Sequence, residues 1–169
     1  QRGKHDELFK LLLETFFVEF LELFVPGAAL LLDRNHVVFR QNEVIPNLLG
    51  KEKHVVDLLV ETRLQDEDGL VLIHVETQSQ RRPDYNRRMF LYACALYQKY
   101  QQKILPIVLY AHNGRSKESN TFCLGFSFLS VFEFSFFSIQ LNRLDWRQYI
   151  RQPNPVAAAL LSKMGYADS

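Results

Sequence analysis

The chain has 169 residues, of which 47% are hydrophobic and 23% are charged, and its formal net charge is +1. These values are typical of one folded domain with a core of ordinary size, and they exclude a disordered chain. Because the net charge is so small, overall charge gives no argument for nucleic-acid binding, and any basic surface must be local.

The two cysteines and the N-terminal sequence indicate the compartment. Cys94 and Cys123 stand in apolar surroundings without the spacing of a zinc motif, so we interpret them as buried thiols, with a disulfide as the alternative. No basic segment precedes a short apolar stretch, so no signal peptide is predicted. The weakly charged stretch 121–141 alternates aromatic and polar residues, as strands do. We therefore expect a cytoplasmic protein without a membrane span.

The first predicted element is a helix over residues 6–24, which Asp6 can cap and which Pro26 and Gly27 end. Its apolar residues cover more than one stripe, so we expect other elements to contact it on several sides. The chain that follows is irregular, with a short strand predicted at 36–39.

Two predicted strands, over 54–64 and 70–78, flank the turn-forming segment 65–69 and indicate an antiparallel hairpin. Each strand is apolar yet contains a carboxylate, Asp57 in the first and Glu76 in the second. A carboxylate inside an apolar strand is costly unless something neutralises it, and two neighbouring carboxylates also repel each other. A shared divalent cation removes both costs, so the pair predicts a metal site for hydrolysis.

The register of this hairpin decides whether the two carboxylates meet. Residues directly opposed in an antiparallel pair share a face of the sheet. A loop of even length, such as 66–69, places Asp57 opposite Gln78 and diagonal to Glu76, so that all three side chains point to one side. A loop of odd length would turn Asp57 to the other face and destroy the site.

The second half of the chain continues with a helix over 84–102 and a continuous apolar strand over 104–110, whose two faces we expect to be covered. The order strand, helix, strand predicts that 70–78 and 104–110 are parallel. An aromatic-rich strand region over 126–140 and short helices within 145–164 complete the chain. The predicted fold is therefore an α/β domain with a mixed sheet flanked by helices.

Six segments follow one another in the order found in a known nuclease family. They are His5-Asp6-x-x-Phe9-Lys10, Phe20-Leu21-x-Leu23-Phe24-Val25-Pro26, Val56-Asp57-Leu58-Leu59-Val60, His74-Val75-Glu76-x-Gln78-Ser79-Gln80, Arg88-Met89-x-x-Tyr92 and Leu105-Pro106-Ile107-Val108-Leu109-Tyr110. Over residues 5–164 the chain thus resembles the Rpn family of recombination-promoting nucleases, also described as YhgA-like transposases, in the PD-(D/E)XK nuclease superfamily. The resemblance implies a restriction-endonuclease-like α/β fold with a mixed central sheet flanked by helices.

The resemblance also implies which residues act. Asp57 and Glu76 would hold one or two Mg²⁺ ions, with the backbone carbonyl of Thr77 as a further ligand and Mn²⁺ as a substitute metal. Gln78 stands where many superfamily members have Lys. Because Gln forms hydrogen bonds but carries no charge, it would position the attacking water while the general base stays unassigned.

Further charged residues are expected around this centre. Glu19 on the first helix is the candidate for an additional catalytic acid, since superfamily members often place one there, and Glu14 and Glu22 compete for that role. Arg87 and Arg88 are candidates for contacts with DNA phosphate, although each is equally well explained as a side chain that covers a helix surface.

The function implied by the resemblance is a Mg²⁺-dependent DNA endonuclease linked to recombination or transposition. DNA is the expected partner, and a homodimer would supply the two active sites that double-strand cleavage commonly needs. One alternative is a non-catalytic DNA-binding or protein-interaction remnant of a mobile element, since little sequence flanks the matched segments. Another is a metal-dependent hydrolase of a smaller phosphate ester.

Structural explanations compete with these roles. One alternative for Asp57 is a structural carboxylate paired with Arg63 or Lys53, and one for Glu76 and Gln78 is a solvent-facing position on a half-covered sheet. Histidine suits Mg²⁺ poorly, so His74 is interpreted as a core residue rather than a ligand. The aromatic run 126–137 is expected to fill a core or a sheet, with a base-stacking platform as the alternative.

Overall fold

A five-stranded mixed sheet forms the centre of the computed structural model, which describes residues 4–46, 50 and 52–165. The expected domain over 1–169 includes residues 1–3, 47–49, 51 and 166–169, which lie outside the described residues. None of the helices in the described ranges is long and apolar enough to cross a membrane.

The secondary structure alternates helices and strands along the chain. The helices are α1 (Lys4–Thr15), α2 (Phe17–Phe24), α3 (Pro26–Leu31), α4 (Tyr85–Tyr100) and α5 (Pro155–Leu160). The strands are β1 (Leu32–Phe39), β2 (Val44–Ile45), β3 (His54–Val55), β4 (Leu58–Leu64), β5 (Val71–Gln78), β6 (Lys103–Tyr110), β7 (Thr121–Phe126), β8 (Leu129–Ser135) and β9 (Phe137–Gln140). Short 3-10 helices lie at Leu141–Arg143, Trp146–Gln148 and Leu161–Lys163.

The central sheet has the strand order β1-β4-β5-β6-β9. β4 is antiparallel to both of its neighbours, whereas β5, β6 and β9 run parallel to one another. The expected hairpin of β4 and β5 is confirmed, and so is the expected parallel pairing of β5 with β6 across α4. The mixed sheet flanked by helices is the expected α/β, restriction-endonuclease-like class.

Each face of the sheet packs against its own set of helices. One face contacts α1, α2, α3 and α5 through alternate strand residues: Leu58, Val60, Ile73, Val75, Ile107 and Leu109. The other face packs against α4 through the strand residues that alternate with these six, among them Leu59, Leu72 and Val108. The period of two along each strand produces this division. The apolar strands β5 and β6 are thus covered on both sides, as expected for central strands.

The helix expected over 6–24 is two helices in the structure, since α1 ends at Thr15 and α2 begins at Phe17. The Thr15 hydroxyl donates a hydrogen bond to the carbonyl of Leu11 at 2.7 Å. Such a bond competes with the helical backbone and bends helices. Pro26 ends α2 as expected, but it is also the first residue of α3, where its fixed φ is favourable.

The strand region expected over 126–140 also divides. β7 and β8 pair only with each other among the described residues, and β9 alone joins the central sheet. At the C-terminal end, α5 begins after Asn154, whose side-chain oxygen accepts a hydrogen bond from the backbone N–H of Val156 at 2.9 Å. Its amide nitrogen donates to the carbonyl of Glu19 at 2.9 Å, which ties α5 to α2.

Both cysteines are exposed free thiols, so the expectation of buried thiols was wrong. Cys94 lies on the outer surface of α4, and Cys123 lies opposite Glu133 in the β7–β8 pair. Apolar neighbours in the sequence occupy other faces of these two elements, because side chains alternate along a strand and rotate around a helix.

Candidate functional site

The start of β4 and the end of β5 form one side of a cleft of about 660 Å³. Four of the predicted site residues line this cleft: Asp57, Glu76, Thr77 and Gln78. Glu19, Arg87 and Arg88 are not among the described residues that line it. The structure therefore brings together the strand residues of the predicted site, but not the helix residues.

The pairing of β4 with β5 places the two carboxylates side by side. Leu58 pairs with Val75, so the same register sets Asp57 opposite Glu76 rather than opposite Gln78. The predicted register was wrong by two residues, because the β4–β5 pairing ends at Thr62 and Val71 and the connection is longer than expected. That connection still has an even length, so the three side chains share the α4 face of the sheet.

Asp57 is held by the neighbouring strand. Its Oδ2 atom accepts a hydrogen bond from the backbone N–H of Thr77 at 2.9 Å and another from the Thr77 hydroxyl at 3.2 Å. The carboxylate is half-buried at the cleft wall. These two donors stabilise its charged form and fix its orientation. The role of the Thr77 carbonyl as a metal ligand stays a prediction.

Glu76 is almost fully buried, with 2% of its surface exposed, so the solvent-facing alternative is wrong for this residue. Two imidazoles contact the same carboxylate oxygen: His54 Nε2 lies 2.7 Å from Oε1, and His74 Nε2 lies 2.8 Å from it. Because a carboxylate only accepts hydrogen bonds, both Nε2 atoms must carry the proton and donate it. The Nδ1 atom of His74 is buried and has no hydrogen-bond partner in the described part of the chain.

Two opposing effects set the pKa of Glu76. Burial alone raises it, because the charged form loses its hydration. The hydrogen bonds from His54 and His74 and their positive character outweigh burial, so the pKa lies far below its usual range. Glu76 is therefore ionised at neutral pH although it is buried, and the cleft contains a fixed negative charge.

Two tyrosines of α4, Tyr85 and Tyr92, lie beside Asp57, Glu76 and His54. The His54 ring stacks on Tyr92 with a centroid distance of 4.1 Å and an interplanar angle of 3°. Tyr85 is buried beside the carboxylates; burial raises its pKa, and the charges of Glu76 and Asp57 raise it further. Both tyrosines line the cleft, so one side of the site has low polarity, which strengthens electrostatic interactions there.

Several cleft residues were not singled out from the sequence. Asp6 was interpreted as a helix cap, yet it lies within the first turn of α1 and lines the cleft, as does Glu52. The cations that line the cleft are Lys53 and Arg82 rather than the arginines of α4. Asp6 stands in the first matched segment, so the sequence did contain a signal for it, whereas Arg82 lies outside all of them.

The helix residues proposed for the site have other environments. Glu22 forms a surface ion pair with Arg34 at 2.6 Å. Glu19 is half-buried on α2, where its backbone carbonyl contacts the C-terminal region. Arg87 is exposed on α4. Arg88 does not line the cleft, but its Nε lies 3.5 Å from Asp84 Oδ1 and its side chain hydrogen-bonds Tyr92 at the cleft wall.

The donor set of the cleft fits a hard divalent cation. The oxygen donors are the carboxylates of Asp57, just before β4, and of Glu76 on β5, with the amide of Gln78 two residues further along β5. In the described ranges, no three His, Cys, Asp or Glu side chains are already arranged as a complete metal site. Mg²⁺ does not need such a cage, because it is usually held by one or two carboxylates while water and substrate phosphate supply the remaining ligands.

The mixed central sheet with helices on both faces defines the fold class of the protein, an α/β fold of the restriction-endonuclease-like type. The chain belongs to the family described as putative transposase, YhgA-like, whose model matches residues 3–149. This match confirms the family expected from the sequence and associates the chain with mobile elements. Comparison with curated proteins and with solved structures gave no match.

Proposed function

We propose that this protein is a Mg²⁺-dependent DNA endonuclease that hydrolyses phosphodiester bonds in recombination or transposition. The observation that supports this function most directly is that Asp57, which immediately precedes β4, and Glu76 on the neighbouring strand β5 line one cleft. Membership of a transposase family supports DNA as the substrate. The proposed location is the cytoplasm, where exposed thiols stay reduced.

Each residue of the cleft has a separate role in the proposed reaction. Asp57 and Glu76 would hold the metal, with the Thr77 carbonyl as a further ligand, and bound Mg²⁺ would polarise a phosphate oxygen and acidify a water molecule. Gln78, on the same face, orients the attacking water by a hydrogen bond. Arg82 lines the same cleft and is the better placed cation for the phosphate.

The roles of the predicted helix residues change accordingly. A phosphate contact by Arg87 or Arg88 is a weaker proposal than one by Arg82, because neither lines the cleft. For the same reason Asp6 replaces Glu19 in the proposal as the additional acid, since α1 carries it into the cleft.

The first test measures nicking of supercoiled plasmid DNA in Mg²⁺ by the wild type, Asp57→Asn and Glu76→Gln. Each substitution removes one charge but keeps an oxygen that accepts the hydrogen bonds of Thr77 or of the two histidines. We expect each to reduce the nicking rate at least about 100-fold, comparable with the loss of one strong electrostatic contact to a transition state. Asp66→Asn, in the exposed turn after β4, is the matched control and should nick like the wild type.

A second test separates catalysis from simple DNA binding. Isothermal titration with Mn²⁺ should show binding to the wild type and much weaker binding to Glu76→Gln. If the wild type neither binds Mn²⁺ nor nicks DNA, while it still binds DNA, the endonuclease proposal is wrong. The chain would then be a non-catalytic DNA-binding protein.

A further inference from the structure

The hairpin of β7 and β8, here named the arm, has two chemically different faces. Paired residues share a face, and the register across the strands assigns each residue to one side. The apolar face consists of Phe122, Leu124, Phe126, Leu129, Phe132 and Phe134. The opposite face is small or polar and consists of Thr121, Cys123, Gly125, Ser130, Glu133 and Ser135.

The basal half of the apolar face is already covered by α4. Phe90 stacks on Phe132 with a centroid distance of 4.5 Å, and it contacts Phe122 at 5.4 Å and Phe134 at 5.5 Å. The Asn86 side chain also donates a hydrogen bond to the carbonyl of Thr121 at 2.8 Å. The arm is therefore anchored to the body of the protein at its base.

The distal half of the same face has no such cover among the described residues. Leu124, Phe126 and Leu129 are 52%, 66% and 54% exposed, and Phe128 at the turn is 83% exposed. With the adjacent Val131, these side chains expose roughly 600 Å² of apolar surface, since a large side chain has a full area of about 150–250 Å². A patch of roughly 600 Å² is at the upper end of what a typical monomer exposes, and the largest patches of monomers are often functional.

The chemistry of the arm selects the kind of partner. Its single charged residue is Glu133, which lies on the other face, so the arm offers no cation to DNA phosphate or to an anionic lipid headgroup. This composition disfavours the base-stacking alternative for the aromatic run, because such platforms lie among basic residues. The partner that this chemistry favours is therefore an apolar protein surface of similar area.

A second copy of this chain supplies such a surface by symmetry. A standard interface buries about 800 Å² on each partner, and two identical distal patches approach this area in a self-complementary contact. We propose that the distal arm is a homodimer interface, in which the apolar face of one arm covers that of a second copy.

The interface follows from the arm alone and does not rest on the proposed nuclease activity. If both hold, the dimer brings two clefts into one assembly, which suits cleavage of two DNA strands. The dimer can form without catalysis, and catalysis on one strand can occur without the dimer, so the failure of one proposal is distinguishable from the failure of the other.

Sedimentation equilibrium over a range of concentrations tests the interface. The wild type should show a mass twice the 19.8 kDa of the chain. The double variant Phe126→Ser, Phe128→Ser should dissociate at least ten-fold more readily, because it replaces the two most exposed aromatic side chains of the patch. Leu30→Ser is the matched control, since Leu30 is 80% exposed but lies on α3, and it should dimerise like the wild type.

Three outcomes would overturn the proposal: a wild type that stays monomeric at all concentrations, a double variant with the wild-type dissociation constant, or a monomer that binds neutral lipid vesicles through the arm. If the double variant does not fold, hydrogen exchange of the wild type decides instead. Amides of residues 123–129 should exchange more slowly as the concentration rises, and exchange independent of concentration would contradict the dimer.

Discussion

Glu76 shows how a single buried side chain keeps its charge. Burial opposes ionisation, but two imidazole N–H groups converge on one carboxylate oxygen and reverse the effect on the pKa. His54 is itself held flat against Tyr92, and His74 lies two residues before Glu76 on the same strand face. These contacts fix the orientation of the carboxylate, and under the proposed function they would position it for the metal.

Replacing His54 should therefore weaken metal binding without unfolding the protein. His54→Ala removes one of the two donors to Glu76, and loss of such an outer-shell partner typically costs about 10–100-fold in metal affinity. Titration calorimetry with Mn²⁺ measures this loss. Since the histidine side chain is 22% exposed, added imidazole should occupy the vacated position beside Tyr92 and restore part of the affinity.

The matched control for this prediction is His36→Ala. His36 also contacts a glutamate, with Nε2 3.3 Å from Glu61, but this pair does not line the cleft. The control should bind Mn²⁺ like the wild type. Unchanged affinity in His54→Ala would show that His54 does not position Glu76.

Among elements, an ion pair fastens the edge strand β1 to β4. Arg40, just after β1, donates to Glu61 Oε1 at 2.7 Å, and His36 within β1 contacts the other carboxylate oxygen. The hydrogen bond from Arg40 is the main reason that the pKa of Glu61 lies below its usual value. The folded state thus favours the charged carboxylate more than the unfolded state does.

The stability effect of Glu61 should consequently depend on pH. A carboxylate with a lowered pKa stabilises the fold fully above its unfolded pKa, and this contribution is lost as the pH falls through the folded pKa. Glu61→Gln should reduce the free energy of unfolding by about 1.5–3 kcal/mol at pH 7, the range for hydrogen bonds to charged groups. The difference from wild type should shrink as the pH falls below 4.5, the usual pKa of a glutamate, and urea unfolding at a series of pH values measures it.

A surface ion pair provides the comparison. Glu22→Gln removes the exposed contact with Arg34 and should change the free energy of unfolding by less than about 1 kcal/mol at either pH. A Glu61→Gln effect that stays the same from pH 7 to pH 3 would mean that packing, rather than charge, fastens β1 to β4.

The elements also differ in how far their sequence determines them. The face shared by Asp57 and Glu76 was predictable, because the period of two along a strand leaves only two choices. The register was not, since the β4–β5 pairing ends at Thr62 and Val71 and leaves a longer connection than the turn-forming segment indicated. His54 lies in β3, which pairs with β2, and from there it contacts Glu76. No local sequence pattern predicts this short pair of strands.

Across the whole molecule, the family and the sheet were predictable while the distribution of exposed surface was not. The continuous apolar run of β6 predicted a central strand, and the order of helices and strands predicted the mixed sheet, so the fold class could be derived from the sequence. The aromatic run 126–137 has the same apolar character, yet Phe126 and Phe128 are exposed. The composition of a segment indicates that its side chains tend to be buried, but it does not indicate whether the same chain or another molecule buries them.

The cleft has a local excess of negative charge, although the net charge of the whole chain is slightly positive. Four carboxylates and two cations are among the described residues that line it, although the chain as a whole carries +1. The carboxylates are Asp6, Glu52, Asp57 and Glu76. Without a bound cation, this surface repels the phosphate backbone of DNA, because like charges in a cleft focus an unfavourable field. A divalent cation would bring the cleft close to neutrality.

DNA binding should therefore depend on a divalent cation even when no cleavage occurs. In Ca²⁺, with ionic strength matched by NaCl because salt screens exposed charges, fluorescence anisotropy should show at least about ten-fold tighter binding to a DNA duplex than in EDTA. The double variant Asp57→Asn, Glu76→Gln should bind DNA more tightly than the wild type in EDTA, because two negative charges are gone. It should also lose the response to Ca²⁺. Equal behaviour of the two proteins in both buffers would show that these carboxylates do not control the approach of DNA.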